Sequence, residues 1–283
     1  MAVLESHDGY YLWKYLPSIP AAVVFLILFV ATTGLHLWRI LKTKTWFCIV
    51  FAIGGFFEVI GYIGRAIAHN STGKLIPFIL QNFFILLAPA LFAASIYMVL
   101  GRIIRSVHGE QHSLIRVHWL TRAFVLGDVF SFMIQGGAAG LMVTGNNVAL
   151  GNNIVIAGLA IQVISFGLFI ITAIVFQVRI GKFPTRESVL EENMPWKQNL
   201  YGLYAMSVLV LIRSVFRVVE YSLGYDGYAL EHEWTLYAFD SVPMFFVTVV
   251  FFWRYPSRLR VPPKDGEVGT VELVQIQTVH EGK

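Results

Sequence analysis

Apolar and polar residues do not alternate along this chain; they separate into blocks. Seven continuous apolar stretches, near residues 18–38, 45–67, 77–101, 120–143, 153–178, 199–221 and 234–254, alternate with short segments that hold most of the charge. As a helix rising about 1.5 Å per residue, each is long enough to cross about 30 Å of hydrocarbon. A membrane β-barrel would need strands that alternate apolar and polar residues, and these runs do not. The pattern predicts an all-α fold: a seven-transmembrane-helix bundle over residues 18–254, with a short extracellular segment at 1–17 and a mobile cytoplasmic tail at 255–283.

Composition agrees. Charged residues make up 13% of the chain and hydrophobic ones 57%, whereas soluble domains are about a quarter charged. Arg39, Lys42 and Lys44, then Arg102, Arg105, Arg116 and Arg122, then Arg179, Lys182, Arg186 and Lys197, and finally Arg254, Arg258, Arg260 and Lys264 fall on one side of the predicted bundle. The other side carries Lys14 and Lys74. The positive-inside rule then places the N-terminus outside and the C-terminus in the cytoplasm. Asn70 opens an Asn-Ser-Thr sequon in a loop on the outer side, a candidate for N-glycosylation. The first sixteen residues hold Glu5 and Asp8 and lack the succession of a removable signal peptide, so the first helix is expected to serve in targeting. Cys48 is the single cysteine, which excludes an internal disulfide.

Tyr10, Tyr11, Trp13 and Tyr15 precede the first run, Trp38 and Trp46 flank the first cytoplasmic turn, and Trp234 and Trp253 bound the last run. Their placement reads as an interfacial aromatic belt. The glycines of GGFFEVIGYIGR and MIQGGAAGLM read as close-packing positions between helices. Pro89 and Pro243 are expected to kink the third and seventh helices.

Against this background the embedded charges stand out: Glu58 and Arg65 in the second run, Asp128 in the fourth, Arg213, Arg217 and Glu220 in the sixth, and Asp240 in the seventh. At a helix centre each costs about 2.5–3.5 kcal/mol on insertion scales, so they should face one another or a wet cavity. Matching depth along the helices pairs Glu58 with Arg213 and Arg65 with Glu220. Arg217 falls nearer the depth of Asp240; the two, not needed for those pairs, are expected to meet a ligand headgroup or gate its entry. An outer loop carrying Asp226, Glu231 and Glu233 would roof the cluster. Two readings are open: a lock that joins helices, or a lateral polar cavity for an amphiphile, with Gln81, Asn82, Gln135 and Gln162 as further lining candidates.

Several seven-helix chemistries fail on residues. A retinal protein needs a lysine in the last helix, and residues 234–254 have none. His36 is the only histidine well inside a run, which leaves no metal-ligand set; His108 and His112 share helical spacing without an HExxH motif. No P-loop is present. A G-protein-coupled receptor of the common type is opposed by YMVLGRIIRS ending the third run, by DSVPMFF in the seventh, and by the lone cysteine. No catalytic set, cofactor or nucleic-acid partner is expected.

The stretches GGFFEVIGYIGR (54–65), LLAPALFAASIYMVLGRII (86–104), FVLGDVFSFMIQGGAAGLM (124–142), GLAIQVISFGLFI (158–170) and LIRSVFRVVEYSLGYDGYALEHEWTLYAFD (211–240) resemble the fungal lipid-translocating exporters, the Rta-like proteins named for resistance to aminocholesterol. Glu58, Arg65, Asp128, Gln135, Gln162, Arg213, Arg217, Glu220 and Asp240 all lie in these stretches, which makes them the candidate substrate-binding residues. The resemblance implies a multi-pass protein of the plasma membrane that moves sphingoid bases, sterol-like toxins or porphyrin. It establishes no catalytic residue. A lipid receptor signalling through the cytoplasmic loops is the alternative, because resistance to a toxin can follow from sensing as well as from export.

Overall fold

The structure, a computed structural model, describes residues 13, 15–143, 148–185, 188, 196–224 and 227–256. Asp226, Arg186 and the tail beyond Pro256 lie outside the described residues. Among the described residues, seven helices are long and apolar enough to cross a membrane: α1 (Ile19–Thr43), α2 (Ile49–Ala68, entered through a 3₁₀ turn at Trp46–Cys48), α3 (Leu75–Ser106), α4 (Val117–Val143), α5 (Val148–Lys182), α6 (Trp196–Ser222) and α7 (Glu233–Trp253). No strand occurs among the described residues.

The helices overrun several of the apolar stretches that announced them. α5 begins five residues before its run and ends four after it; α3 continues from Gly101 to Ser106. Hydropathy reports where hydrocarbon must be crossed, whereas a helix persists into the interface as long as its backbone bonds hold. Arg105, Arg179 and Lys182 sit in those last turns, where long basic side chains reach water and favour the helix C-terminus.

Successive helices pack side by side, α1 also touches the C-terminal part of α7, and α3 reaches across to α6. α3 is therefore the central helix, and 56% of its most apolar window is buried against 22% for α1. Glycines set how closely α2 lies on its neighbours. A Cβ at Gly55 would stand 2.3 Å from Thr33 Oγ1 on α1, and one at Gly61 2.5 Å from Ile85 Cγ1 on α3. A methyl group there would force Thr33 or Ile85 to shift. At the basic end, Arg39 of α1 donates to the Phe252 carbonyl (2.5 Å) and lies 4.7 Å from the centres of the Phe252 and Tyr255 rings, closing the ring of helices.

The two intrahelical prolines act differently from each other. Pro89 lacks the N–H that would bond the Ile85 carbonyl one turn back, and that carbonyl is taken instead by Arg213 of α6. Pro243 likewise frees the Phe239 carbonyl, and the chain just before it widens into a π turn over Tyr237–Ser241, with Val242 N–H on the Tyr237 carbonyl. π turns insert one residue into a helix and re-aim the side chains around them. Asp240 is carried on this one.

Candidate functional site

On α6, Arg213, Arg217 and Glu220 recur at spacings of four and three, which puts them on one buried face. The π turn of α7 brings Asp240 between the two arginines. Arg213 Nε donates to Asp240 Oδ1 at 2.5 Å and its Nη2 to the Ile85 carbonyl at 3.0 Å. Arg217 donates from Nη2 to Asp240 Oδ2 and from Nη1 to Glu220 Oε2, the latter at 2.9 Å. Asp240 is thus the hub of the cluster, with one arginine on each oxygen. All four side chains are buried.

Arg65 lies in a second cluster toward the α2–α3 turn. Its guanidinium donates to Glu233 (2.7 Å), Tyr237 (2.9 Å), Gln81 (3.1 Å) and Tyr15 (3.2 Å) and faces the rings of Trp13, Tyr15 and Tyr237. Glu233 Oε1 also accepts the Ser18 N–H at the start of α1 and the Tyr237 hydroxyl. Tyr62, one turn from Glu58 on α2, donates to Ser241 on the π turn. These contacts tie the segment before α1 and the ends of α2, α3 and α7 into one cap.

Both depth-matched pairs are therefore corrected. Arg213 meets Asp240 and Arg65 meets Glu233, while Glu58 makes no ion pair with any described residue. Depth is one coordinate of two: the direction each side chain points around its helix decides the partner, and the π turn changes that direction on α7. Arg217 and Asp240, matched in depth but expected to meet a ligand headgroup, are bonded to each other at the centre of the cluster. Glu233, expected in a loop that roofs the cluster, stands instead in the first turn of α7 and bonds Arg65 directly; Glu231 takes no part in these bonds. Trp13 and Tyr15, read as interfacial belt, pack on the Arg65 guanidinium. Trp38, Trp46, Trp234 and Trp253 are exposed on the rim, in keeping with a belt.

The remaining candidates divide. Asp128 on α4 accepts the Tyr97 hydroxyl of α3 at 2.8 Å, with Phe124, Phe166 and Phe169 around the Tyr97 ring. Gln135 donates to Ser131, which donates to the Gly158 carbonyl of α5. Gln81 serves Arg65, Asn82 bonds its own helix at the Phe78 carbonyl, and Gln162 is half-buried on α5 and joins none of these networks. Asn70 is exposed in the turn between α2 and α3.

A groove of about 380 Å³ opens on the outer face of α6, lined by Leu211, Ile212, Val215, Phe216, Val219 and Phe239. Its walls are apolar, and the lining residues of α6 occupy a different face from Arg213, Arg217 and Glu220. The shape suits hydrocarbon, and none of the embedded charges lines it. Among the described residues no group of three or more His, Cys, Asp or Glu could hold a metal ion.

Residues 51–261, which hold every embedded charge named above, match the family described as RTA1 like protein. Protein RTA1 of Saccharomyces cerevisiae is 35% identical over 277 residues, covering 89% of this chain and 86% of that protein. Protoporphyrin uptake protein 1 of the same yeast is 34% identical over 283 residues, covering 87% of this chain and 92% of that protein. Its sphingoid long-chain base transporter RSB1 is 28% identical over 277 residues, covering 85% and 72%. No solved structure matches the chain. By the extent of these matches, this seven-helix membrane protein belongs to the RTA1-like family.

Proposed function

We propose that the protein binds single-chain amphiphiles from the bilayer and helps them cross or leave it, with sphingoid-type amines and sterol-like toxic compounds as the compound classes. One observation carries the reading: a buried cluster of opposite charges where α2, α3, α6 and α7 meet, in a chain similar to a protein named as a sphingoid base transporter. Embedded charge is costly, and a bundle can be held together without it, so a polar headgroup passing through the bundle accounts for charges there. Glu58, Arg65, Asp128, Gln135, Gln162, Arg213, Arg217, Glu220 and Asp240 are the residues we assign to this path. The apolar groove on α6 would seat the hydrocarbon chain, and the plasma membrane would be the site of action. The charge asymmetry supports a cytoplasmic C-terminus.

Reconstitution tests this. Purified protein in liposomes should move a labelled sphingoid base between leaflets faster than protein-free liposomes do. A second reading, a lipid sensor, is favoured by the closure of the cluster, since its members are no more than 8% exposed. Saturable binding with no acceleration between leaflets would select it.

A further inference from the structure

Glu58 differs from every other embedded acid in what surrounds it. It is 1% exposed, and its Oε1 has no hydrogen-bond partner. The charged groups acting on it come from two helices: Arg213 and Arg217 from α6, and Asp240 from α7. Tyr62 lies on its own helix, with its hydroxyl given to Ser241. Around it α1 and α3 supply Thr33 against Gly55, Phe92 against Gly54 and Ile85 against Gly61. The histidine of α1, His36, is set among the rings of Phe51, Phe251 and Phe252 and bonds the Thr32 carbonyl, and the other ionisable groups of α1, Arg39 and Lys42, lie nearer its C-terminal end.

Both arginines near Glu58 are ion-paired with other acids, and only Arg217 Nε is left buried without a hydrogen-bond partner. Arg213 is held by Asp240 and the Ile85 carbonyl, and Arg217 by Asp240 and Glu220. Glu58, Glu220 and Asp240 would bring three negative charges against the two positive ones, and the first of them is the one without a partner. Arg65 cannot balance it, because Glu233 already does so there. A bare carboxylate enclosed by protein within the membrane is strongly disfavoured. Glu58 therefore needs a cation of its own.

We propose that Glu58 is a cation-exchange site, occupied by a proton in the resting protein and by the ammonium group of a single-chain amphiphile in the loaded one. The step is Glu58–COOH plus R–NH3+ giving Glu58–COO− paired with R–NH3+, plus one proton released to water. The O–H bond breaks, nothing is oxidised, and the cluster is neutral before and after. Neutrality in both states lets a charged headgroup lie inside the bilayer without leaving an uncompensated charge at either stage. Arg213 and Arg217 keep Asp240 and Glu220 from competing for the amine. Because Glu58 is enclosed, loading requires the helices around it to part, and α7, which widens into a π turn beside the cluster, is the element whose shift would open it.

The proposal rests on the amphiphile reading above and is tested on the full-length protein in neutral-lipid nanodiscs, with empty discs subtracted. The probes are dodecylamine and dodecanol, which share a chain and differ in charge. Dodecylamine should bind saturably, release about one proton per molecule bound at acidic pH, and bind up to about tenfold more tightly per pH unit until the site is deprotonated. Glu58→Gln has the shape of the neutral acid; it should unfold at the wild-type temperature, bind dodecylamine roughly tenfold or more weakly with no pH dependence, and leave dodecanol binding unchanged. Binding of dodecylamine to the wild type without proton release overturns the proposal, as does a Glu58→Gln variant with wild-type affinity and pH dependence. If neither probe binds above empty discs, the amphiphile reading fails and takes the exchange site with it. Should Glu58→Gln not fold, the neutral resting state is refuted at that point, and the wild-type proton count still separates exchange from plain binding.

Discussion

Two parts of the bundle join their helices by different means. Where α6 and α7 meet α2 and α3, full charges cross the interfaces, from Arg213 and Arg217 to Asp240 and from Arg65 to Glu233. Where α4 lies on α5, the backbones close up instead. A Cβ at Gly127 would stand 2.9 Å from Ser165 Oγ, and one at Gly158 3.0 Å from Gln135 Cγ. The interhelical bond there is neutral, from Ser131 to the Gly158 carbonyl. Lipid tails give no hydrophobic drive between helices, so both regions rely on packing and hydrogen bonds. Among the described residues the α4–α5 pair does so without ion pairs, which means that cohesion alone does not call for them. Buried ion pairs are also an inefficient source of stability, since desolvation offsets much of the attraction. What the charged region has and the neutral one lacks is a fixed arrangement of charge around Glu58.

The largest expected effect breaks that arrangement at its hub. Asp240→Asn removes the partner of two arginines at once and should cost about 3–5 kcal/mol or more, seen as loss of monodisperse protein or a large fall in unfolding temperature. The sequence alone led to the opposite expectation, a well-folded variant with impaired function. A folded, abundant Asp240→Asn protein would mean that Arg213 and Arg217 are balanced by something else.

The reason for that reversal shows what was legible. Seven helices, their order and the identities of the embedded charges followed from hydropathy, because crossing hydrocarbon imposes length and composition on each segment. Of the partners, only Arg217 with Asp240 followed, from their similar depth. Pairing by depth set Glu58 against Arg213, but it could not register that Pro89 frees the Ile85 carbonyl for Arg213, nor that a π turn before Pro243 swings Asp240 between two arginines. A proline one turn after an apolar residue does announce a free carbonyl, and that signal was there to be read beside the nearby arginine-bearing run. The Arg65 partner was also hidden by position. Glu233 was assigned to the outer loop but stands in the first turn of α7, and Tyr15 and Trp13 looked like belt residues until the chain before α1 folded onto Arg65. Glu58→Gln changes meaning as well: with no arginine on Glu58, the substitution leaves no guanidinium stranded.

Next in size is Glu220→Gln. It weakens one of the two acidic contacts of Arg217 and leaves Asp240 in place, so the loss should be about 1.5–3 kcal/mol, the range for a hydrogen bond to a charged group. Thermal unfolding of the purified variant beside Asp240→Asn gives the ranking. Equal losses for the two would show that Asp240 is no more a hub than Glu220 is.

In the neutral region, Gly158→Ala tests close approach. The new methyl would meet Gln135 Cγ at 3.0 Å, Ile134 Cγ2 at 3.2 Å and the Ser131 carbonyl at 3.2 Å. Side chains can yield a few tenths of an ångström, but the carbonyl belongs to α4, so the helices must part slightly. A cost of about 1 kcal/mol, near the low end for overpacking, is expected. The same unfolding measurement checks it, and an unchanged stability would show that α4 and α5 are not held by backbone proximity.

The smallest effect is expected at Gln135, and it sharpens the comparison most. Its Nε2 donates to Ser131 Oγ at 2.9 Å within α4, and Ser131 keeps its own bond across to the Gly158 carbonyl when that donor is removed. Gln135→Met preserves length, exchanges an amide for an apolar end on a residue that is 5% exposed, and deletes one neutral hydrogen bond. Such bonds inside membrane proteins are worth about 0.6 kcal/mol on average, because the competing state also finds partners for them. Folding should thus be nearly unchanged. Lipid movement in liposomes then separates two versions of the bundle. If Gln135→Met moves sphingoid base as the wild type does while Glu58→Gln does not, the headgroup path belongs to the charged region and α4–α5 is a scaffold. If Gln135→Met folds normally yet moves lipid poorly, the neutral region is part of the path. Asp128, whose Oδ1 is buried without a partner while Oδ2 accepts from Tyr97, would then be the acid to examine beside Glu58.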